Sequence, residues 1–437
     1  MPALTQPQLI VLGIFVAAYG LIISGIVHRT IAAIFGAVAV ALWVLTPQQL
    51  LHYENWETLV FVFGMMTVIA TMETSGFFRW LGLHAARAVR LDPLKLFMLF
   101  PFIAGVLAAF VDSITVMLFM ATLTLEVCRL VNIKALPLIL SEIAAANIGG
   151  ASTMVGDPPN VILGTHFHYS FMDFVVNTGP AALIGFVISV GLFILAYRKE
   201  ILGEERRVLR DPTRVSEAMQ QLRPRAAVED WHLFWVGLIG FFYVAALLVT
   251  HHLTHLSVST IAITGAALMM LLGDPLHKMP NVMKKIDWDT LLFFACLFLI
   301  VGAMDQTGVL QWLANGMIRA TGGQVALILS VILWFSAIAS SVVDNVPMAA
   351  TMAPLLGHLS QSAGIALPPL VWSAALGTDI GGNGTPIGAS ANVVAIATYE
   401  KATHHRVSWA HYCKFSYPIM MVVVLAINVF LLIAHHP

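Results

Sequence analysis

The chain is predicted to be an all-α polytopic membrane protein. The expected plan is an inverted repeat of two five-span halves, each with a re-entrant hairpin and a broken helix. Three observations carry that expectation. First, of the 437 residues 59% are hydrophobic and only 10% charged, with mean hydropathy +0.86, whereas soluble domains carry about 25% charged residues. Second, the stretch Asn147–Ile162, NIGGASTMVGDPPNVI, has a twin 232 residues on, Asp379–Val394, DIGGNGTPIGASANVV, and seven of the sixteen aligned positions are identical. Third, the basic residues collect in alternate loops, as they do in polytopic proteins.

The spans follow in order. The first is expected over residues 8–26, the second over 30–45 and the third over 56–73. The next piece, FFRWLGLHAARAVRLDP, reads as an amphipathic helix lying at the interface with its arginines in water. Residues 96–127 hold two apolar arms, 96–111 and 114–127, joined at Asp112-Ser113. Each arm is short for a crossing of ~20 residues. A re-entrant hairpin would set Asp112 near the midplane, and two full crossings would set it at the far surface. Residues 136–167 form the broken helix. Gly149, Gly150 and Gly156 weaken helix there, and Pro158-Pro159 removes two backbone donors. Such open backbone is tolerated at membrane depth only when buried in protein or lining a wet cavity. A fifth span covers 175–197, which closes the first repeat at 1–197.

Residues 198–230 carry eight Lys/Arg and read as a cytoplasmic linker with room for a short helix. The second repeat, 231–437, restates the plan: spans at 232–250, 257–272 and 289–304, a hairpin at 325–356, a broken helix at 368–398 and a last span at 415–434. The offset of 232 also aligns Trp56 with Trp288, Thr58 with Thr290, Gly76 with Gly308, Trp80 with Trp312, Asp112 with Asp344 and Ser141 with Ser373, with no gap between 56 and 394.

Orientation follows from charge. With the N-terminus outside and each hairpin making no net crossing, every one of the 22 Lys/Arg except Arg319 falls on the inner side. Both termini are then outside. Five crossings per half is odd, so the second half is inverted; paired Gly/Pro-interrupted segments in such halves mark a transporter's binding site. The N-terminal stretch lacks a basic n-region and a cleavage site and reads as a span, not a signal peptide. Cys128, Cys296 and Cys413 lack metal-ligand spacing and read as buried small hydrophobes. The histidine clusters His166/His168, His251/His252/His255 and His404/His405 read as solvated loop residues, so neither a metal nor a cofactor is expected. A net charge of −1 suggests no nucleic-acid partner, and no nucleophile–base pair suggests an enzyme.

Four acids lie in apolar surroundings within the repeat: Asp112, Asp157, Asp344 and Asp379. Glu142 and Glu126 are close by. No Lys or Arg of the same spans is placed to neutralise them. Intramembrane acids of this kind default to proton or cation coupling, against which stands a neutral acid bonded to the hairpin backbone. Asp157 and Asp379 each lack a counterpart, since Ala389 and Asn147 stand at the equivalent positions. Asn147, Ser152, Thr153 and Asn160, with Asn383, Thr385 and Asn392 opposite, supply neutral hydrogen-bonding groups for a substrate. A site so poor in cations suits uncharged polyhydroxyl species, or a cation on the aspartates, better than a dianion.

VDNVPMAATMAPLL (Val343–Leu356), NIGGASTMVGDPPNVIL (Asn147–Leu163) and DIGGNGTPIGASANVV resemble the ArsB-type branch of the ion transporter superfamily. That branch holds arsenite/antimonite efflux permeases and the melanosomal P protein, with divalent-anion/sodium symporters and NhaD-type antiporters as distant relatives. The resemblance implies a scaffold and a transport domain moving in an elevator-like way in a bacterial inner membrane. It implies export of neutral arsenite or antimonite trihydroxide against protons, with the possibility of a cytoplasmic ATPase subunit docking. By position, Asp112 and Asp344 take the hairpin tips. Asn147, Thr153 and Asn160, with Asp379, Asn383, Thr385 and Asn392, take the broken-helix loops. The symporters carry Ser-Asn-Thr at their tips, whereas here the tips read Asp-Ser-Ile-Thr and Asp-Asn-Val-Pro, which argues against dicarboxylate import. A sodium/proton antiporter using Asp112, Asp157 and Asp344 as ligands, and an organic-anion symporter, stand as the alternatives.

Overall fold

The first two helices are α1 (Gln6–Ser24) and α2 (Arg29–Trp43) in a computed structural model that describes residues 4–254, 256–274 and 276–434. His255, of the loop histidine cluster, lies outside these residues. A loop helix, α3 (Pro47–Tyr53), opens on a Thr46/Gln49 capping box. It leads into α4 (Trp56–Ser75), capped by Asn55, and the amphipathic α5 (Phe77–Ala88). The first hairpin is α6 (Pro93–Ala108) and α7 (Ser113–Val131), and the first broken helix is α8 (Leu136–Gly150) and α9 (Pro158–Phe167). A short α10 (Phe171–Asn177) precedes the span α11 (Gly179–Ala196). The linker folds into α12 (Arg198–Leu209), α13 (Pro212–Gln221) and a 3₁₀ turn, Pro224–Ala227, which is more helix than its composition suggested.

The second half runs α14 (Trp231–Thr254), α15 (Val258–Leu272), the short α16 (Met279–Met283), α17 (Trp288–Gln306) and α18 (Val309–Thr321). Its hairpin is α19 (Val325–Ser340) and α20 (Asn345–Ala363); its broken helix is α21 (Leu367–Gly381) and α22 (Ser390–Thr403); the last span is α23 (Trp409–Ala434). Among the described residues there is no strand. Among the described residues seven helices are long and apolar enough to cross a membrane. The spacing seen in the sequence is reproduced in the helices: α4 and α17, α6 and α19, α7 and α20, and α9 and α22 each begin 232 residues apart.

One expectation is corrected. The second hairpin arms are not short: α7 and α20 each have 19 residues, enough for ~28 Å at 1.5 Å per residue. The helix continues through the polar residues beyond each apolar run and stops only at left-handed C-caps, Asn132 and Gly364.

Two bodies emerge from the packing. In one, α4 packs on α15 and α14, and α17 on α2 and α1, so each half lends its helices to the other. This is the frame. In the other, α6 packs on α8, α19 on α21, α7 on α22, α9 on α20, and α11 on α23. This is the module that contains both hairpins and both breaks. The two meet where α4 touches α9 and where α17 and α18 touch α20.

The glycines of the two motifs make the close packing possible. None of them has positive φ. A Cβ at Gly149 would come closer than 3.0 Å to the Gly105 carbonyl on α6, and one at Gly381 equally close to the Ala337 carbonyl on α19. The helices therefore approach backbone to backbone, as at small-residue interfaces in membranes.

Candidate substrate and proton site

Both breaks are braced in the same way. Asn160 Nδ2 donates to the carbonyls of Gly150 (3.1 Å) and Thr153 (2.9 Å). Asn392 Nδ2 donates to those of Gly382 (2.7 Å) and Thr385 (2.9 Å). Thr153 and Thr385 turn their hydroxyls onto the hairpin carbonyls of Ala109 and Ser341. Ser152 bonds back to the Gly149 carbonyl at 2.5 Å. The free carbonyls that a broken helix would otherwise bury unpaired are thus satisfied by side chains. Of the side chains proposed for substrate, these five hold the breaks open. Asn147 behaves differently. Its Nδ2 crosses to the other half, donating to Asn383 Oδ1 at 2.8 Å and Asn392 Oδ1 at 3.0 Å.

The hairpin tips meet the breaks. Asp112 and Asp344 are N-caps: Asp112 accepts from Thr115 N at 2.9 Å, Asp344 from Val346 N at 3.1 Å. The next residue of each tip reaches one carboxylate. Ser113 Oγ donates to Asp157 Oδ1 and Asn345 Nδ2 to Asp157 Oδ2, both at 2.6 Å. Two tips that share a carboxylate end at the same depth, beside the helix breaks and buried (Ser113 2% and Asn345 4% exposed). The two tips therefore meet inside the protein.

Asp157 stands at the N-cap position of α9 yet makes no cap bond. Its carboxyl lies against that of Asp379 on α21, and both are buried, 1% and 0% exposed. Neither oxygen of Asp379 has a hydrogen-bond donor among the described residues, and Asn147 Oδ1 and Asn160 Oδ1 have none either. Asp157 belongs to the first half and Asp379 to the second. Each half therefore supplies one acid of the pair.

No Lys or Arg of the acids' own spans lies beside them in sequence. The structure brings one. Arg29, at the start of α2, donates through Nη1 to Ser390 Oγ (2.7 Å) and Asp344 Oδ2 (3.3 Å) and through Nη2 to Thr290 Oγ1 (3.0 Å). Ser390 also donates to Asp344 at 2.6 Å. Arg29 was out of reach of span-by-span reasoning because its partner lies 315 residues away. Ser113 and Asn345 are small neutral residues with no sequence signal of their own beside the neighbouring aspartates. Glu142 lies off the site, fully buried and bonded by Thr124 Oγ1 at 2.5 Å. Glu126 pairs with Arg79 at the surface.

At the seam between frame and module, a cavity of about 560 Å³ is lined by Tyr53, Glu54, Asn55, Thr165, His166 and Asp305, among others.

Helices that interlock two repeats, with two hairpin tips and two helix breaks meeting at a buried acid pair, define a multi-pass membrane transporter and not an enzyme. A profile of the citrate transporters, CitMHS, matches residues 19–377, and the chain belongs to that family. A Mycobacterium tuberculosis protein named only as an uncharacterized transporter is 34% identical over 396 residues, covering 89% of this chain and 90% of that one. The P protein of Homo sapiens is 29% identical over 498 residues, covering 97% of this chain and 59% of the P protein. The crystal structure of the Alcanivorax borkumensis YdaH transporter shares the fold with TM-score 0.55 at 13% identity, over 99% of both chains. The chain thus stands in the superfamily to which its motifs pointed, and none of these matches carries an arsenite specificity.

Proposed function

We propose that the protein is a proton-coupled secondary transporter whose substrate is a small uncharged polyhydroxyl species, arsenite or antimonite trihydroxide, exported from a bacterial cell in exchange for protons. One observation carries this reading: the Asp157–Asp379 pair, one acid from each half, with both hairpin tips bonded to it through Ser113 and Asn345. With one proton the pair bears a negative charge, and the tips are held by charge-assisted bonds, the stronger kind. A second proton neutralises the pair and weakens both bonds together. Protonation thereby loosens two gates on the same site. A tricarboxylate, the substrate in the matched family's name, would require unpaired cations; Arg29 is already paired with Asp344.

The oxygens of Asp379, Asn147 and Asn160 that lack donors favour a second reading. Oxygen acceptors suit a hard cation, and sodium held there would make the protein a sodium/proton antiporter.

Everted vesicles separate these readings. Respiration-driven arsenite uptake that an uncoupler abolishes, and that Asp157→Asn loses, is the expected result. Sodium-driven proton movement without arsenite uptake would replace the first reading by the second. Citrate uptake in the same vesicles would overturn both.

A further inference from the structure

The frame grips the module at two sequence-equivalent points, and it does so at different heights. On one side Thr58, at the start of α4, lies with its Oγ1 2.7 Å from Thr165 Oγ1 on α9, and Asn55 Nδ2 reaches the same hydroxyl at 3.3 Å. The equivalents of Thr58 and Thr165, counted on by 232, are Thr290 and Ala397. The hydrogen bonds of Thr290 run elsewhere. Thr290 instead accepts from Arg29, which holds Ser390 and Asp344. Ser390 precedes Ala397 by seven residues, or ~10 Å of helix.

This displacement does not arise inside the halves. Their hairpins, breaks, asparagine braces and threonine braces correspond residue for residue. What differs is where the module sits against the frame. A module with matching halves that rests off-centre in a frame with matching halves has a second resting place, with the two contacts exchanged. There Thr290 faces Ala397, and Thr58 faces Pro158.

The exchange leaves one contact with no counterpart. The position equivalent to Arg29 is Ile261 by the 232 count, or Val258 by helix start. Neither can pair with Asp112 in the exchanged position. Arg29 and Asp344 are partly buried, with side chains 25% and 14% exposed, and the Arg29 guanidinium also lies 5.3 Å over the Phe293 ring of the same frame. We infer that Arg29 is a positioning residue, a latch carried by the frame that seizes the second hairpin tip and Ser390 in one of the module's two positions and releases them in the other. The latch biases the resting position and must open once in every cycle. This inference needs the module to move; it does not depend on arsenite or protons driving it.

Paired cysteines read the two positions directly in native membranes. Thr58→Cys with Thr165→Cys reports the position seen here, and Thr290→Cys with Ala397→Cys reports the exchanged one. The unaltered chain, whose Cys128 and Cys296 are buried, is the control. With Arg29 intact the first pair is expected to cross-link strongly and the second weakly. Arg29→Gln is expected to raise the ratio of second to first at least threefold, and Arg29→Lys to fall between. Asp344→Asn approaches the same ion pair from the other side and should move the ratio the same way, so a folding defect in one variant does not decide the matter. An unchanged ratio in both variants, or no cross-link of the second pair in any of them, overturns the latch. Arsenite or sodium flux measured on the same membranes fails or succeeds separately.

Discussion

Asp112 and Asp344 occupy equivalent points of the two hairpins, and each caps the helix that follows through its own carboxylate. Beyond that shared task their surroundings diverge. Asp344 is held by Arg29 and Ser390, while Pro158 stands where a second Ser390 would be and no arginine stands where a second Arg29 would be. The acid pair shows the reverse pattern: Asp157 and Asp379 come from non-equivalent positions yet share one place in the structure. Repetition thus preserves what builds the breaks and tips, and the acid pair and the arginine lie where the repeat is broken.

The largest effect that tests this contrast falls on the acid pair. Asp157→Asn or Asp379→Asn should reduce proton-driven flux at least tenfold while leaving the amount of folded protein in the membrane near normal, because a neutral amide keeps the shape and loses the exchangeable proton. Asp112→Asn, by contrast, should transport nearly as well as the unaltered chain, since asparagine caps a helix as well as aspartate does. A dead Asp112→Asn with an active Asp157→Asn, each assayed in vesicles, would invert the assignment.

Next come the repeated glycines. Gly149→Ala and Gly381→Ala each force a Cβ against a backbone carbonyl, and overpacking of this kind costs about 1–3 kcal/mol. Thermal unfolding in detergent should show both destabilised by similar amounts. A large inequality would break the claim that the halves are built alike. A smaller effect belongs to the caps. Asp112→Ala should cost about 1 kcal/mol, and Asp344→Ala more, because it also leaves Arg29 without its acid.

How far the sequence could carry these conclusions depends on the range of each interaction. The all-helical class, the apolar helices, the helix pairs and both breaks were legible because hydropathy, Gly/Pro punctuation and the 232-residue offset act locally or repeat. The motif asparagines and threonines were legible as important but not in their role. A side chain that satisfies a carbonyl ten residues earlier, as Asn160 does for Gly150, looks in sequence like one that awaits a ligand. Arg29 and the contact of Asp157 with Asp379 were out of reach, because both depend on how distant helices pack. The length of α7 was underestimated because polar residues near a helix end are compatible with helix once a cap lies beyond them.

The smallest effect is at the seam. Glu54 lies between α3 and α4 beside the seam cavity, and its Oε1 is buried without a partner among the described residues. Burial pushes its carboxyl up to about 7, from the ~4.3 of an unfolded chain. The folded protein then retains a proton that the unfolded chain releases, so the neutral form's contribution to stability is complete below about pH 4.3 and declines as pH rises to 7. Its equivalent in the second half is Ile286, buried and uncharged, so an apolar residue fits the corresponding place. Glu54→Gln should therefore match the unaltered chain at the acid end of that window and melt about 1–2 °C higher at pH 8. A gain of the same size at both ends would mean that the benefit comes from something other than removing a buried charge, and a loss at pH 8 would mean that the ionised carboxylate has a partner across the seam.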